Sequence, residues 1–183
     1  MPTVPTYARD GSVHVIVESP RGSTAKYENG VVFLHRALPA GFAYPFDWGF
    51  VPGTLAADGD PLDAMVLWSG SSHPGVVIPV RPIGILKIEQ ASRGSGQRER
   101  NDRLLAVPVS DPTQTLTDVF SLPGRTRDEL QHFFEAVVAF EHKAIAVLGW
   151  GDASDAAAAV AQAAAARDER DDRALGFEEG ESD

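Results

Sequence analysis

The sequence predicts an α+β domain, a small β-barrel followed by two helices. Three observations point there. Apolar, β-branched runs broken by Pro, Gly and Asn-Gly turns fill residues 12–109. The apolar spacing then changes to a helical one around Leu130, Phe133, Phe134, Val137 and Val138. An alanine-rich stretch follows from Asp152 to about Arg167. Strands first and helices last favour segregated layers over an alternating parallel sheet.

Residues 1–11 read as an irregular arm. Ser12–Glu18 alternates valine and isoleucine with polar residues and stops at Pro20 and Gly22, as a strand does. Ala25–Glu28, Asn29-Gly30 and Val31–His35 form a hairpin signature, because Asn-Gly supplies the two positive φ angles of a tight turn. Between Pro39 and Pro61 four prolines and four glycines alternate with aromatic residues, so this stretch reads as loops and short extended pieces. Further strands are expected at Ala64–Trp68, Val76–Ile88 and Leu104–Val109, with a polar loop over Ala91–Asp102. Thr126 with Glu129 has capping-box spacing, which would start a helix running to about Lys143. Residues 12–166 therefore make one domain. Residues 167–183 form a charged tail expected to be disordered.

The chain has 183 residues and a net charge of −10, with 43% hydrophobic and 23% charged residues. Residues 167–183 hold eight acids and three arginines, so half of the net charge falls in the tail. An acidic balance argues against nucleic acid as a partner, which needs a basic face. There is no cysteine, which excludes disulfides, thiolate metal sites and a cysteine nucleophile. No apolar run reaches the 18 residues a spanning helix needs, and the N-terminal residues lack the pattern of a signal peptide. A cytoplasmic protein without a membrane partner is the expectation.

Asp58-Gly-Asp60-Pro-Leu-Asp63 carries the most chemistry. Gly59 and Pro61 bend the chain so that three carboxylates approach one another. Such a cluster needs raised pKa values or a cation, and oxygen-only donors suit Mg²⁺ or Mn²⁺. A solvated acidic turn is the plain alternative. Strand alternation puts Lys26 and Glu28 on one face, with Arg36 on the partner strand. Cations beside carboxylates are what a metal–phosphate site requires.

Taken in order, Glu18, Lys26-Tyr-Glu28, Arg36, Tyr44-Pro-Phe-Asp-Trp48, Asp58-Gly-Asp60-Pro-Leu-Asp63, Arg81–Lys87, Leu104–Pro108 and His132-Phe-Phe-Glu135 resemble the soluble family I inorganic pyrophosphatases over residues 12–150. The resemblance implies a closed five-stranded, OB-like barrel with two helices and a homo-oligomer, hexameric in many bacterial members. It implies hydrolysis of inorganic pyrophosphate by in-line attack of a metal-bound hydroxide, with Mg²⁺ as cofactor and Mn²⁺ as a substitute. Carried over by position, Asp58, Asp60, Asp63 and Asp102 would hold metal. Asp60, Glu18, Glu28 and Tyr44 would serve catalysis, and Lys26, Arg36, Trp48 and Arg103 would hold substrate.

The match has gaps. The family pattern expects Asp where Gln90 and Asn101 stand, Lys at Arg103, Tyr-Lys at Val137-Val138 and Tyr at Trp48. Glu89, Glu99, Asp102, Arg98, Arg100 and Arg103 are candidates to restore the lost charges. Two other readings stay open: an organic diphosphate as substrate, with Trp48 stacking on its ring, and a phosphate-binding protein without catalysis.

Overall fold

The computed structural model describes residues 4–28, 33–91, 97–112, 114–139 and 145–178. Five strands close on themselves. They are β1 (Val13–Ser19), β4 (Asp47–Phe50), β5 (Asp63–Val66), β8 (Arg103–Pro108) and β6 (Val77–Ala91), and β6 pairs back onto β1. Only β5 and β8 run parallel in this ring. The ring is the barrel expected from the sequence. Beyond it, β7 (Arg98–Arg100) and β9 (Ile145–Gly151) pair with the far end of β6, and β2 (Ala25–Glu28) pairs with β3 (Phe33–Ala37) in a separate hairpin. The Asn29-Gly30 turn lies outside the described residues.

Alternation along the strands sorts the core into two faces. Ala64, Val66, Leu104 and Ala106 join Val13, Val15 and Val17 on one face. Helix α2 (Ala153–Glu178) covers it with Ala156, Val160 and Ala163, spaced four and three residues apart. Met65, Leu67, Leu105 and Val107 point the other way, toward Leu130, Phe134 and Val137 of α1 (Gly124–Ala139). At one crossing the backbones come very close. A Cβ on Gly49 would lie within 1.9 Å of the Ile16 carbonyl oxygen, so only glycine fits where β4 meets β1.

Several details differ from the sequence reading. Helix α1 begins at Gly124, where the Pro123 carbonyl accepts from the Thr126 and Arg127 N–H groups. Thr126 is therefore inside the first turn rather than its cap, and Glu129 pairs with Arg125 instead. Part of the polar loop is β7, and β9 was not expected at all. Helix α2 starts as expected, with the Asp152 carboxylate accepting from the Asp155 N–H, but continues to Glu178. The charged segment stays helical because its charges are spaced for it: Arg167 pairs with Asp171 and Arg173 with Glu169. No described helix is long and apolar enough to cross a membrane.

Candidate active site

The Asp58–Asp63 segment is the end of the connection from β4 to β5. Its shape is set by a few bonds. The Thr54 hydroxyl donates to the Val51 carbonyl at 2.6 Å and accepts from the Leu62 N–H at 2.9 Å. The Ala56 N–H donates to the Asp60 carbonyl at 2.8 Å, and the Gly59 N–H to the Ala56 carbonyl at 3.0 Å. Gly59 sits at φ +88°, which a residue with a Cβ rarely adopts. The turn holds Asp58 and exposed Asp60 next to each other and hands Asp63 to the first position of β5.

Burial pushes the Asp58 carboxyl up to about 6, and the neighbouring Asp63 and Asp60 carboxylates push the same way. The Asp60 N–H and the Arg103 guanidinium pull it back. Asp58, Asp60, Asp63 and Arg103 therefore share one electrostatic neighbourhood. Asp63 and Arg103 touch directly, with Nη1 2.7 Å from Oδ2. The parallel register explains the contact. Ala64 pairs with Leu104, so Asp63 and Arg103 stand side by side on adjoining strands.

Tyr44 links this group to the rest of the site. Burial raises its phenol well above the ordinary value. The charges acting on it are Arg36 and Arg103, which lower it, and Asp63 and Glu18, which raise it. Glu18, Arg36, Asp63 and Arg103 thus surround one phenol that stays protonated at neutral pH. Lys26 arrives with Arg36, its cross-strand partner in the hairpin. The hairpin is tied to β1 by the Ser19 hydroxyl, which accepts from the Tyr27 N–H at 3.1 Å. Glu28 lies in β2, but its side chain lies outside the described residues.

Trp48 is 4% exposed and sits against Tyr44, with ring centroids 5.9 Å apart, and Phe134, at 5.4 Å. The Arg103 guanidinium lies 5.6 Å from its ring centroid. So enclosed, the indole has no open face for stacking on an organic ring, which removes the observation behind an organic diphosphate. Its Nε1–H is buried and has no acceptor among the described residues.

The loop candidates divide by strand face. Gln90 and Asn101, 6% and 8% exposed, are the neutral residues standing where carboxylates were expected. Asn101 offers both its backbone carbonyl, at 2.9 Å, and its side-chain Oδ1 to Arg103 Nη1. It holds the arginine, a role that the sequence reading missed because it registered only the lost charge. Glu99 pairs across the strands with Gln90 and so shares its face.

Asp102, expected as a metal ligand, is engaged by other partners in this structure. It lies in the two-residue link between β7 and β8. There it accepts from the Ile88 N–H at 2.9 Å and pairs with Arg100 at 2.7 Å. Arg100 and Asp102 instead border a cleft of about 330 Å³ beside Ala159 and Ala163 of α2. Arg100 is thereby committed to Asp102, and Glu89, its cross-strand partner, shares that side. Val137 is buried in the apolar core and brings no polar group to the site.

The donors present, carboxylates without imidazole or thiolate, fit a hard divalent cation by chemical type. Among the described residues no three of them converge tightly enough to enclose one, in keeping with the guanidinium resting on Asp63.

Comparisons with known proteins agree with this geometry. The family model described as inorganic pyrophosphatase matches residues 15–168. The chain is 42% identical over 148 residues to an inorganic pyrophosphatase of Leifsonia xyli, covering 78% of this chain and 87% of that one. It is 38% identical over 154 residues to one of Synechocystis, covering 81% and 88%. The crystal structure of the inorganic pyrophosphatase from Thermus thermophilus superposes with a TM-score of 0.81 at 35% identity, over 91% of this chain and 97% of that one. On these matches, and on the closed ring that carries the acidic turn, the chain belongs to the inorganic pyrophosphatase family.

Proposed function

We propose that this chain hydrolyses inorganic pyrophosphate to two phosphates, using Asp58, Asp60, Asp63, Glu18, Lys26, Arg36, Tyr44, Trp48 and Arg103. The observation that carries the reading is the convergence of opposite charges. Asp63 pairs with Arg103 beside Asp58 and Asp60, and Arg36, Arg103, Asp63 and Glu18 all bear on the buried, protonated Tyr44. A carboxylate cluster alone would repel a diphosphate anion. Cations alone would bind it without activating water.

Members of this family depend on metal, and Mg²⁺, with Mn²⁺ as a substitute, is the reading for this site. Held by Asp58, Asp60 and Asp63, it would acidify water and offset the charge of the leaving phosphate. The protein does the remaining work. Lys26, Arg36 and Arg103 supply fixed positive charge to the diphosphate oxygens, and the arginine forks add direction. The Tyr44 hydroxyl keeps its proton and can donate it in a hydrogen bond. Asp60, exposed in the turn, would orient a water and take its proton, and Glu18, which bears on the Tyr44 phenol, would support the site. Trp48 would act behind the substrate, as the ring against which the Arg103 guanidinium rests.

A cytoplasmic location and a homo-oligomer, up to a hexamer, belong to the same reading.

Asp60→Asn tests the catalytic assignment. The side chain is exposed and carries no core contact, so the variant folds as the wild type does. We expect phosphate release to fall by about a thousandfold, the scale for losing a positioned general base. Turnover within a few-fold of wild type would remove Asp60 from the mechanism.

A further inference from the structure

We propose that Arg103 is a resident counter-ion for Asp63 that an incoming divalent cation must displace, so that metal and diphosphate binding are coupled through this one guanidinium. The inference rests on the assignment of Asp58, Asp60 and Asp63 as the metal-binding carboxylates.

The geometry argues for an exchange rather than simple coexistence. Arg103 Nη1 is 2.7 Å from Asp63 Oδ2. The arginine side chain is 9% exposed, while Asp63 is 27% exposed and so has a side open to solvent. The same nitrogen is held by the Asn101 carbonyl and amide oxygens, and the guanidinium lies over the Trp48 ring. Arg103 is therefore built in at this carboxylate. A divalent cation on Asp63 would stand against a buried guanidinium at contact distance, in surroundings where charges are poorly screened. The guanidinium must give up Asp63 for the metal to be held well.

Once released, it cannot stay buried without an anionic partner. The diphosphate that the metal also attracts would supply one. A planar fork suits phosphate oxygens as well as it suits a carboxylate. Metal thus frees the cation that grips the diphosphate, and the diphosphate in turn stabilises the state in which Asp63 is open to metal. Linkage requires the two effects to be equal. The neutral residues Gln90 and Asn101 fit this account. With fewer carboxylates on this face, one fixed guanidinium offsets a larger share of the metal-free site's charge.

The test is calorimetric titration of Mn²⁺ into metal-free full-length protein, with and without methylenediphosphonate, a diphosphate analogue that water does not cleave. Wild type should bind Mn²⁺ about tenfold more tightly in the presence of the analogue. Arg103→Gln should bind Mn²⁺ about tenfold more tightly than wild type without the analogue, the scale of one charge-assisted hydrogen bond. It should show no further gain when the analogue is added. Arg103→Lys keeps the charge but not the fork that Asn101 and Trp48 hold. It should fall between the two in metal affinity and retain the coupling, which keeps the test decisive if the glutamine variant does not fold. Unchanged or weaker Mn²⁺ binding in either folded variant, or coupling that survives in Arg103→Gln, would overturn the proposal. Failure of wild type to bind Mn²⁺ at all would remove the site assignment, and the exchange with it.

Discussion

Replacing Asp58 by Asn should stabilise the metal-free protein at neutral pH and weaken its hold on metal. Burial pushes the carboxyl up to about 6, from the ordinary 3.8 of an exposed aspartate. A raised carboxyl pKa means that folding disfavours the charged form. The penalty is absent below about pH 4, where folded and unfolded chains both carry the proton. It grows between about pH 4 and 6 and is complete above that range. Each unit is worth about 1.4 kcal/mol, so the full shift corresponds to roughly 3 kcal/mol. The group is only part-buried, and solvent screening brings this to about 1–2 kcal/mol. Asparagine keeps the oxygen that accepts from the Asp60 N–H at 3.3 Å and removes the charge. In a domain of this size the gain is a rise in melting temperature of roughly 2–8 °C. Thermal melts at pH 7.5 in chelator should show it. Melts at pH 4 should show it nearly gone, because the neutral carboxyl and the amide then cost alike. Adding Mg²⁺ at pH 7.5 should stabilise wild type more than the variant and narrow the gap. A variant equal to or less stable than wild type at pH 7.5 without metal would refute the reasoning, since the buried charge would then be fully compensated.

The remaining expectations concern how the site is held. Gly59→Ala meets no atom within 4 Å, so its effect is purely one of backbone strain at φ +88°. It should cost about 1–2 kcal/mol in chemical denaturation, and Mn²⁺ affinity should fall with it, because the strained turn carries both Asp58 and Asp60. Trp48→Phe should leave the fold intact and raise the KM for pyrophosphate by about threefold, through a looser hold on Arg103.

What could be read from the sequence, and what could not, follows from where the signals lie. The acidic turn was legible because its chemistry is local: Gly59 and Pro61 dictate the bend that gathers the aspartates. The hairpin strands that present Lys26 and Arg36 were legible from the turn residues between them. The orientation of Asp102 was not. Residues Leu104 to Val107 are apolar without a break because both faces of β8 are buried, so no alternation shows which neighbour of Arg103 shares its side. The different placements of Asn101 and Asp102 emerge only from their bonds, Asn101 to Arg103 and Asp102 to the Ile88 N–H and Arg100. Strand β9 was missed for a related reason. Its partner is the far end of β6, nearly sixty residues away, and nothing local marks Ile145–Gly151 as paired. The charged end of α2 misled in the other direction, since high charge suggests disorder unless the i,i+4 pairing of its signs is counted.

The central claim is that this arrangement of carboxylates and arginines performs metal-dependent hydrolysis of pyrophosphate despite the neutral Gln90 and Asn101. The most direct measurement is phosphate release from pyrophosphate by the purified full chain with Mg²⁺, with Mn²⁺, and with chelator. The account predicts release with either metal, none above background in chelator, and recovery when metal is restored. Release that persists in chelator, or none with any divalent cation, would contradict it.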